Sequence, residues 1–124
     1  ATAERERTAG GFPESYYKVQ KIQEWLNSSY AAEISGERLG EEFDGNFDYM
    51  NRIFKRVTGQ TIFQYLTAVR MEHAKRLIAQ TTMHTGVIGQ EVGYPDEYYF
   101  SKVFKRNVGM SPRAYADSLS KNKS

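Results

Sequence analysis

The chain has 124 residues, of which 40% are hydrophobic and 26% charged, a composition that suits one small domain or a compact pair of subdomains and excludes wholesale disorder. The absence of cysteine excludes a disulfide framework and a thiolate metal site, and no apolar run approaches the roughly 20 residues that a membrane span needs. The formal net charge is +2, but the charge is unevenly distributed along the chain. Residues 1–51 hold five Lys/Arg and ten Asp/Glu (−5), whereas residues 52–124 hold twelve Lys/Arg and five Asp/Glu (+7). This asymmetry indicates a polyanionic partner.

The first segment of the chain is polar. Residues 1–15 contain Gly10-Gly11 and Pro13, so we interpret them as a flexible linker or an expression remnant. The chain does not begin with Met, which favours a piece of a longer protein. Residues 16–30 then predict a helix, because their apolar side chains recur at helical spacing.

Two short helices are predicted next. Ser35 is suited to cap the first of them. Asn46 is suited to cap a helix over 47–58, with Gly59 as its left-handed stop. Its inward side chains should be Met50, Ile53, Phe54 and Val57.

The longest helix is predicted over 62–80, opened by a capping box at Thr61 and Gln64, and it would span about 27 Å. Its expected buried residues are Phe63, Leu66, Ala74, Leu77 and Ile78. Further helices are expected at about 87–92, at 97–108 and from Ser111-Pro112 onward. The last helix should fade into a polar tail at 119–124.

A short basic motif occurs twice, 50 residues apart. The first copy runs from Arg52 to Arg56 and the second from Lys102 to Arg106, and both contain Phe-Lys-Arg. Each copy ends a short helix, a turn and a second helix, over 35–57 and 86–108, which is the order of a helix-turn-helix. Two equivalent basic helices are typical of a protein that grips duplex DNA at two points.

The residues Ile88–Tyr94, Tyr98–Arg106 and Gly109–Tyr115 carry a specific family pattern. Over about 17–118, the chain resembles the DNA-binding domain of the AraC/XylS family of bacterial transcription regulators. The resemblance implies an all-α fold of about seven helices, with two helix-turn-helix subdomains joined by a long central linker helix. We place these parts as follows: first subdomain 16–60, linker helix 61–81, second subdomain 82–118.

The implied function is sequence-specific binding of double-stranded DNA for transcription regulation, in the bacterial cytoplasm. The two recognition helices would enter successive major-groove segments, which lie about 34 Å apart on one face. The family also implies RNA polymerase as a partner, and an effector or dimerisation domain outside this chain. Activation and repression both stay open.

The outward positions of the two recognition helices provide the candidate site. Arg52 suits guanine and Asn51 suits adenine, whereas charges near the ends of the helices suit phosphates. The base-contact candidates are Asp48, Asn51, Arg52, Glu97, Tyr98, Ser101 and Lys102. The phosphate candidates are Lys55, Arg56, Lys105 and Arg106.

Several of these positions also have a structural interpretation. Asp48 and Glu97 are suited to stabilise helix N-termini. Of Tyr98 and Tyr99 we expect one to be buried, with Tyr98 at the DNA. Arg70 is expected to form an ion pair inside the linker region.

The turn of the first motif departs from the family pattern. Gly45 stands where an apolar residue usually packs, so the first subdomain should be more loosely packed. Gly40 and Gly89 should allow close helix approach within each motif.

Catalysis has no support in the sequence. The histidines, His73 and His84, lie on the long helix and in a loop, and no phosphate-binding loop, dinucleotide fingerprint or nucleophile elbow is present. We therefore expect no enzyme activity, no cofactor and no metal. The alternative function is a helical protein-interaction module that binds an acidic partner, and selectivity between duplex sequences distinguishes the two.

Overall fold

The computed structural model describes residues 13–122. In this range the chain forms seven α-helices, which confirms the predicted all-α class. They are α1 (Glu14–Ser29), α2 (Gly36–Glu42), α3 (Phe47–Thr58), α4 (Ile62–Gln80), α5 (Thr85–Glu91), α6 (Glu97–Val108) and α7 (Pro112–Asn122). None of the described helices is long and apolar enough to cross a bilayer.

The two ends of the described chain are more helical than predicted. Helix α1 already begins at Glu14 and buries Ser15, so the last residues of the predicted linker 1–15 belong to the fold. Helix α7 continues to Asn122, so the predicted tail at 119–124 is wrong up to that residue. The rest of both segments lies outside the described residues.

Side-chain caps set the helix starts as the sequence predicts. Ser35 Oγ accepts from Arg38 N at 3.0 Å, and Asn46 Oδ1 accepts from Tyr49 N at 3.0 Å. The capping box before α4 is also present, since Gln64 N donates to Thr61 Oγ1 at 3.1 Å while Thr61 N donates to Gln64 Oε1 at 2.8 Å. Each bond satisfies a backbone or side-chain group that the helix itself leaves unpaired.

The chain divides into two compact units. The first contains the described part of Ala1–Ser29 and Ile34–Leu66, and the second contains Tyr30–Glu33 and the described part of Thr67–Ser124. Helix α4 is therefore shared between the units. The predicted division instead gave the whole of 61–81 to a separate linker helix.

The core of the first unit lies where α1 packs on α3. The period of α3 was predicted correctly, because Met50, Ile53 and Phe54 are buried. Phe63 was predicted to be buried and is not: its side chain is 37% exposed, whereas the neighbouring Ile62 is fully buried. The Phe63 ring instead lies beside the Phe47 ring, with 5.6 Å between centroids.

The second unit has its own aromatic core. Phe100 and Phe104 of α6 are fully buried, and Tyr115 of α7 packs against Phe104 at 5.8 Å between ring centroids. The predicted core residues Leu77 and Ile78 of α4 are only partly buried at its edge. The buried cluster consists of Met71, Ala74, Ile88, Val92, Tyr94, Phe100, Val103 and Phe104.

Arg70 is a buried structural residue, but its partners are not the predicted carboxylate. Its Nε donates to Tyr30 O at 2.7 Å and its Nη2 donates to Ala32 O at 2.9 Å. Its guanidinium carbon lies 4.9 Å from the centroid of the Tyr94 ring. The planar guanidinium therefore holds Tyr30–Glu33, the segment after α1, within the second unit through two donors of one side chain.

Candidate nucleic-acid interface

Helix α3 has a buried face and an exposed, charged face. Phe54 is fully buried, whereas Asp48, Arg52 and Lys55 are exposed. Asp48 lies in the first turn of the helix and Lys55 in the last, where their charges complement the helix dipole. The exposed face is therefore cationic in its second half, and Arg52 is placed for solvent or a ligand.

Asn51 differs from the other candidates on this helix, because its side chain already makes a hydrogen bond within the protein. Its side chain is half-buried, and Oδ1 accepts a hydrogen bond from Ile62 N at 2.8 Å. An asparagine that reads adenine needs both its oxygen and its nitrogen for the base edge. Asn51 uses its oxygen to cap the first N–H of α4, which has no partner inside that helix. A base contact by Asn51 stays a prediction, and it would have to use Nδ2 alone or break this hydrogen bond.

The residue of the second motif that corresponds to Asn51 has no capping role. Ser101 and Pro112 lie 50 residues after Asn51 and Ile62, and Pro112 begins α7 as Ile62 begins α4. Proline has no N–H, so the first position of α7 needs no acceptor. Ser101 is half-buried and is free of this capping task. The signal in the sequence is the proline at one site and the isoleucine at the other, because only the isoleucine has an N–H that needs an acceptor.

Helix α6 exposes two adjacent tyrosines, although one of them was expected to be buried. Tyr98 is 70% exposed and Tyr99 is 56% exposed. Lys102 Nζ lies 4.7 Å from the centroid of the Tyr98 ring, one helical turn away. The Tyr99 ring lies 5.8 Å from the Tyr94 ring. Tyr98 and Lys102 thus form one exposed aromatic and cationic pair.

The Glu97 side chain packs against its own unit, near the start of α5. A Cβ placed on Gly86 would clash with the Glu97 carboxylate, so this side chain lies over the start of α5. A base contact by Glu97 requires the side chain to rotate away from Gly86. The charges at the end of the helix, on Lys105 and Arg106, are exposed.

The turns of the two motifs share one backbone arrangement. Gly45 N donates to Gly40 O at 3.0 Å, and Tyr94 N donates to Gly89 O at 2.7 Å. A Cβ on Gly40 would lie 2.9 Å from Gly45 O, and a Cβ on Gly89 would lie 3.0 Å from Tyr94 O. Any larger side chain would therefore push the turn away from its helix. The predicted close approach of the two helices is confirmed at Gly89, where a Cβ would also lie 3.0 Å from the Phe100 ring of α6. At Gly40 the close group is the turn and not the second helix.

The described residues include no group of three or more His, Cys, Asp or Glu side chains placed to hold a metal ion. His73 stacks on Tyr30, with 3.9 Å between ring centroids. Burial, with the nearby charge of Arg76, lowers the pKa of His73 below its ordinary 6.5, while Glu72 acts in the opposite direction. This histidine is therefore part of the packing around α4.

Comparisons with known proteins agree with this architecture. A family model described as a helix-turn-helix domain matches residues 45–118. The chain is 45% identical over 97 residues to the HTH-type transcriptional regulator YisR of Bacillus subtilis, an alignment that covers 78% of this chain and 34% of that protein. The chain thus spans about a third of the length of this relative.

Two solved structures have the same fold. The C-terminal domain of AraT, a response regulator from Geobacillus stearothermophilus, matches with a TM-score of 0.79 and 27% identity over 82% of this chain and 84% of that chain. The DNA-binding domain of AdpA, solved in complex with a target DNA, matches with a TM-score of 0.78 over 85% and 95% of the chains; at 20% identity it shows the fold alone. The chain belongs to the AraC/XylS family of helix-turn-helix transcription regulators and corresponds to their DNA-binding domain.

Proposed function

We propose that this chain recognises a specific double-stranded DNA site through α3 and α6, with one helix in each of two successive major-groove segments. The observation that carries the proposal is the repeated design of the two helices. Each has a fully buried phenylalanine, Phe54 or Phe104, and an exposed cation at the same register, Arg52 or Lys102. The 19-residue helix α4, which links the motifs, is about 28 Å long.

The proposed base contacts differ between the helices. Arg52 is suited to pair with guanine O6 and N7, and Asp48 to accept from cytosine N4. In α6, Lys102 is suited to reach guanine, and its neighbours Tyr98, Ser101 and Glu97 complete the set. The proposed phosphate contacts are Lys55, Arg56, Lys105 and Arg106, which add affinity and salt dependence without selecting a sequence.

Selection of bound sites from a random duplex library tests the proposal directly. We expect one preferred site with two half-elements spaced by about one helical turn. Arg52→Ala should then cost about 1–3 kcal/mol and relax selection at one base position. Lys55→Ala is the matched control on the same helix, because it should weaken all duplexes equally and lower the salt slope by about 1.

Equal binding to every duplex, with Arg52→Ala and Lys102→Ala both silent, would favour the alternative of a module for an acidic protein partner. That alternative is supported by the same exposed cations, since an acidic surface and a phosphate backbone both attract them. DNA is favoured over an acidic protein because the chain belongs to a family of helix-turn-helix transcription regulators.

The setting of this domain is proposed on the family and on the partial coverage of its relative. We propose that it acts in the cytoplasm, that an effector or dimerisation domain lies in a further part of a longer protein, and that RNA polymerase is a second partner. Copurification of polymerase with the full-length protein on its selected DNA site would test the last point.

A further inference from the structure

A cavity of about 340 Å³ lies in the first unit, between α1 and the turn that joins α2 to α3. Its walls include the apolar side chains of Val19, Ile22 and Ile53. Lys18 and Lys21 of α1 also line it. The volume falls at the lower end of the roughly 300–1,000 Å³ that is usual for small-molecule sites.

The internal repeat explains why the cavity is there. Gly45 and Tyr94 occupy the same place in the two turns, because each donates its N–H to the carbonyl of the glycine five residues earlier. The Tyr94 side chain is only 7% exposed and packs with 5.8 Å between its ring and that of Phe100. Gly45 has no side chain, and it lines the cavity. The first unit therefore has a cavity where the second unit has an aromatic ring.

Both places have a cation near an aromatic ring, although the two rings are not equivalent, because Tyr49 corresponds to Tyr99 in the repeat. In the second unit the Arg70 guanidinium lies 4.9 Å from the Tyr94 ring centroid. In the first unit Lys18 Nζ lies 5.8 Å from the ring of Tyr49, another residue that lines the cavity. The charged residues lining the cavity are two lysines and Asp44. Their sum is +1, which favours an anion with a single charge.

We propose that this cavity binds a small planar aromatic carboxylate. The ring would lie between α1 and α3, as the Tyr94 ring lies in its own unit, and the carboxylate would face Lys18 and Lys21. Val19, Ile22 and Ile53 are at most 6% exposed and add little further buried area. The apolar contact would come mainly from the rings of Phe43 and Tyr49, and the lysines would select the anion. The inference depends on the cavity and the repeat, and not on the proposed DNA contacts.

The test is a titration of 2-naphthoate into ¹⁵N-labelled protein, with neutral 2-naphthol as the comparison ligand. We expect saturable amide shifts centred on Gly45, Met50 and Ile22. The double variant Lys18→Ala/Lys21→Ala should weaken naphthoate binding about three- to tenfold and leave naphthol binding unchanged, because partly exposed charges contribute modestly. Lys75→Ala, a lysine of the second unit, is the control and should change neither ligand.

A second variant, Gly45→Tyr, supplies the side chain that the second unit already has. A Cβ at Gly45 would meet Met50 Sδ at 3.4 Å, an ordinary contact, so the ring has room to enter the cavity. We expect naphthoate binding to fall at least about tenfold in this variant. If Gly45→Tyr does not fold, the lysine variant decides alone, since its substitutions are on exposed residues.

Three results would overturn the proposal: no saturable shifts, shifts centred on the exposed cations of α3 and α6, or a lysine double variant that binds naphthoate as tightly as the parent. The DNA-site selection described above is unaffected by any of them. The two proposals therefore fail separately.

Discussion

The hydrogen bond from Ile62 N to Asn51 Oδ1 can be removed with one substitution, Asn51→Ala. Ile62 is fully buried, so its N–H cannot turn to water once the acceptor is gone. A buried donor left without a partner costs about 1–3 kcal/mol. The change from Asn to Ala returns a few tenths of a kcal/mol, about 0.5, in helix propensity. The free energy of unfolding of the first unit should therefore fall by about 0.5–2.5 kcal/mol.

The repeat supplies the matched control, Ser101→Ala. This substitution also replaces a weaker helix former by alanine at the same register of α6, but Pro112 has no N–H to lose a partner. We expect its effect on the free energy of unfolding to stay within about 0.5 kcal/mol. The difference between the two variants isolates the cap.

Urea denaturation followed by tryptophan fluorescence is suited to this comparison. Trp25 is the only tryptophan of the chain, and it lies in the first unit with its ring 5.8 Å from that of Phe43. Far-UV circular dichroism reports on both units, so a lower midpoint in fluorescence alone would place the loss in the first unit. The reasoning would be refuted if Asn51→Ala were no less stable than Ser101→Ala.

Three further predictions concern the second unit. Gly89→Ala should lower the thermal midpoint despite a gain of about 1 kcal/mol in helix propensity, because the new Cβ would lie 3.0 Å from a backbone oxygen of the next turn; an unchanged or higher midpoint would contradict the close packing. Arg70→Lys should cost about 1–3 kcal/mol in urea denaturation, since an ammonium cannot reproduce the fork that binds two carbonyls, and a silent substitution would remove Arg70 as the tie to that segment. Burial and the charge of Arg76 lower the pKa of His73 in the folded chain, while Glu72 acts in the opposite direction. As the pH falls, the unfolded chain therefore binds the proton first, so the contribution of His73 to stability should be complete above a pH of about 6.5 and decline below it. His73→Phe should flatten this decline when denaturation is measured at several pH values.

Periodicity predicted the inward faces of the recognition helices correctly, as Phe54 and Phe104 show, because a helix of fixed pitch must bury one stripe. It failed at Phe63, which is exposed, whereas the adjacent Ile62 is buried at the start of α4. Hydrophobicity alone does not indicate which of two adjacent apolar residues enters a core. The side on which neighbouring helices pack decides it.

The polar residues were harder to predict for a related reason. Asn51 was assigned to DNA because its position lies on the outward edge of α3, but its acceptor serves a backbone group eleven residues later. Arg70 was expected to pair with a carboxylate, and it binds carbonyls of a segment roughly forty residues earlier in the chain. Such partners depend on how distant segments meet, which local pattern does not contain. The base and phosphate contacts themselves stay predictions.

Helix α4 starts with an N–H that Asn51 caps, whereas α7 starts with a proline, so the two motifs differ in which substitutions they tolerate. A substitution at Asn51 exposes an unpaired donor unless a proline arises at Ile62 in the same lineage, so the two sites are expected to vary together. A substitution at position 101 leaves no backbone donor unpaired, because Pro112 has no N–H. New target preferences can therefore arise at Ser101 by single steps, and the second motif should diversify faster at this position than the first.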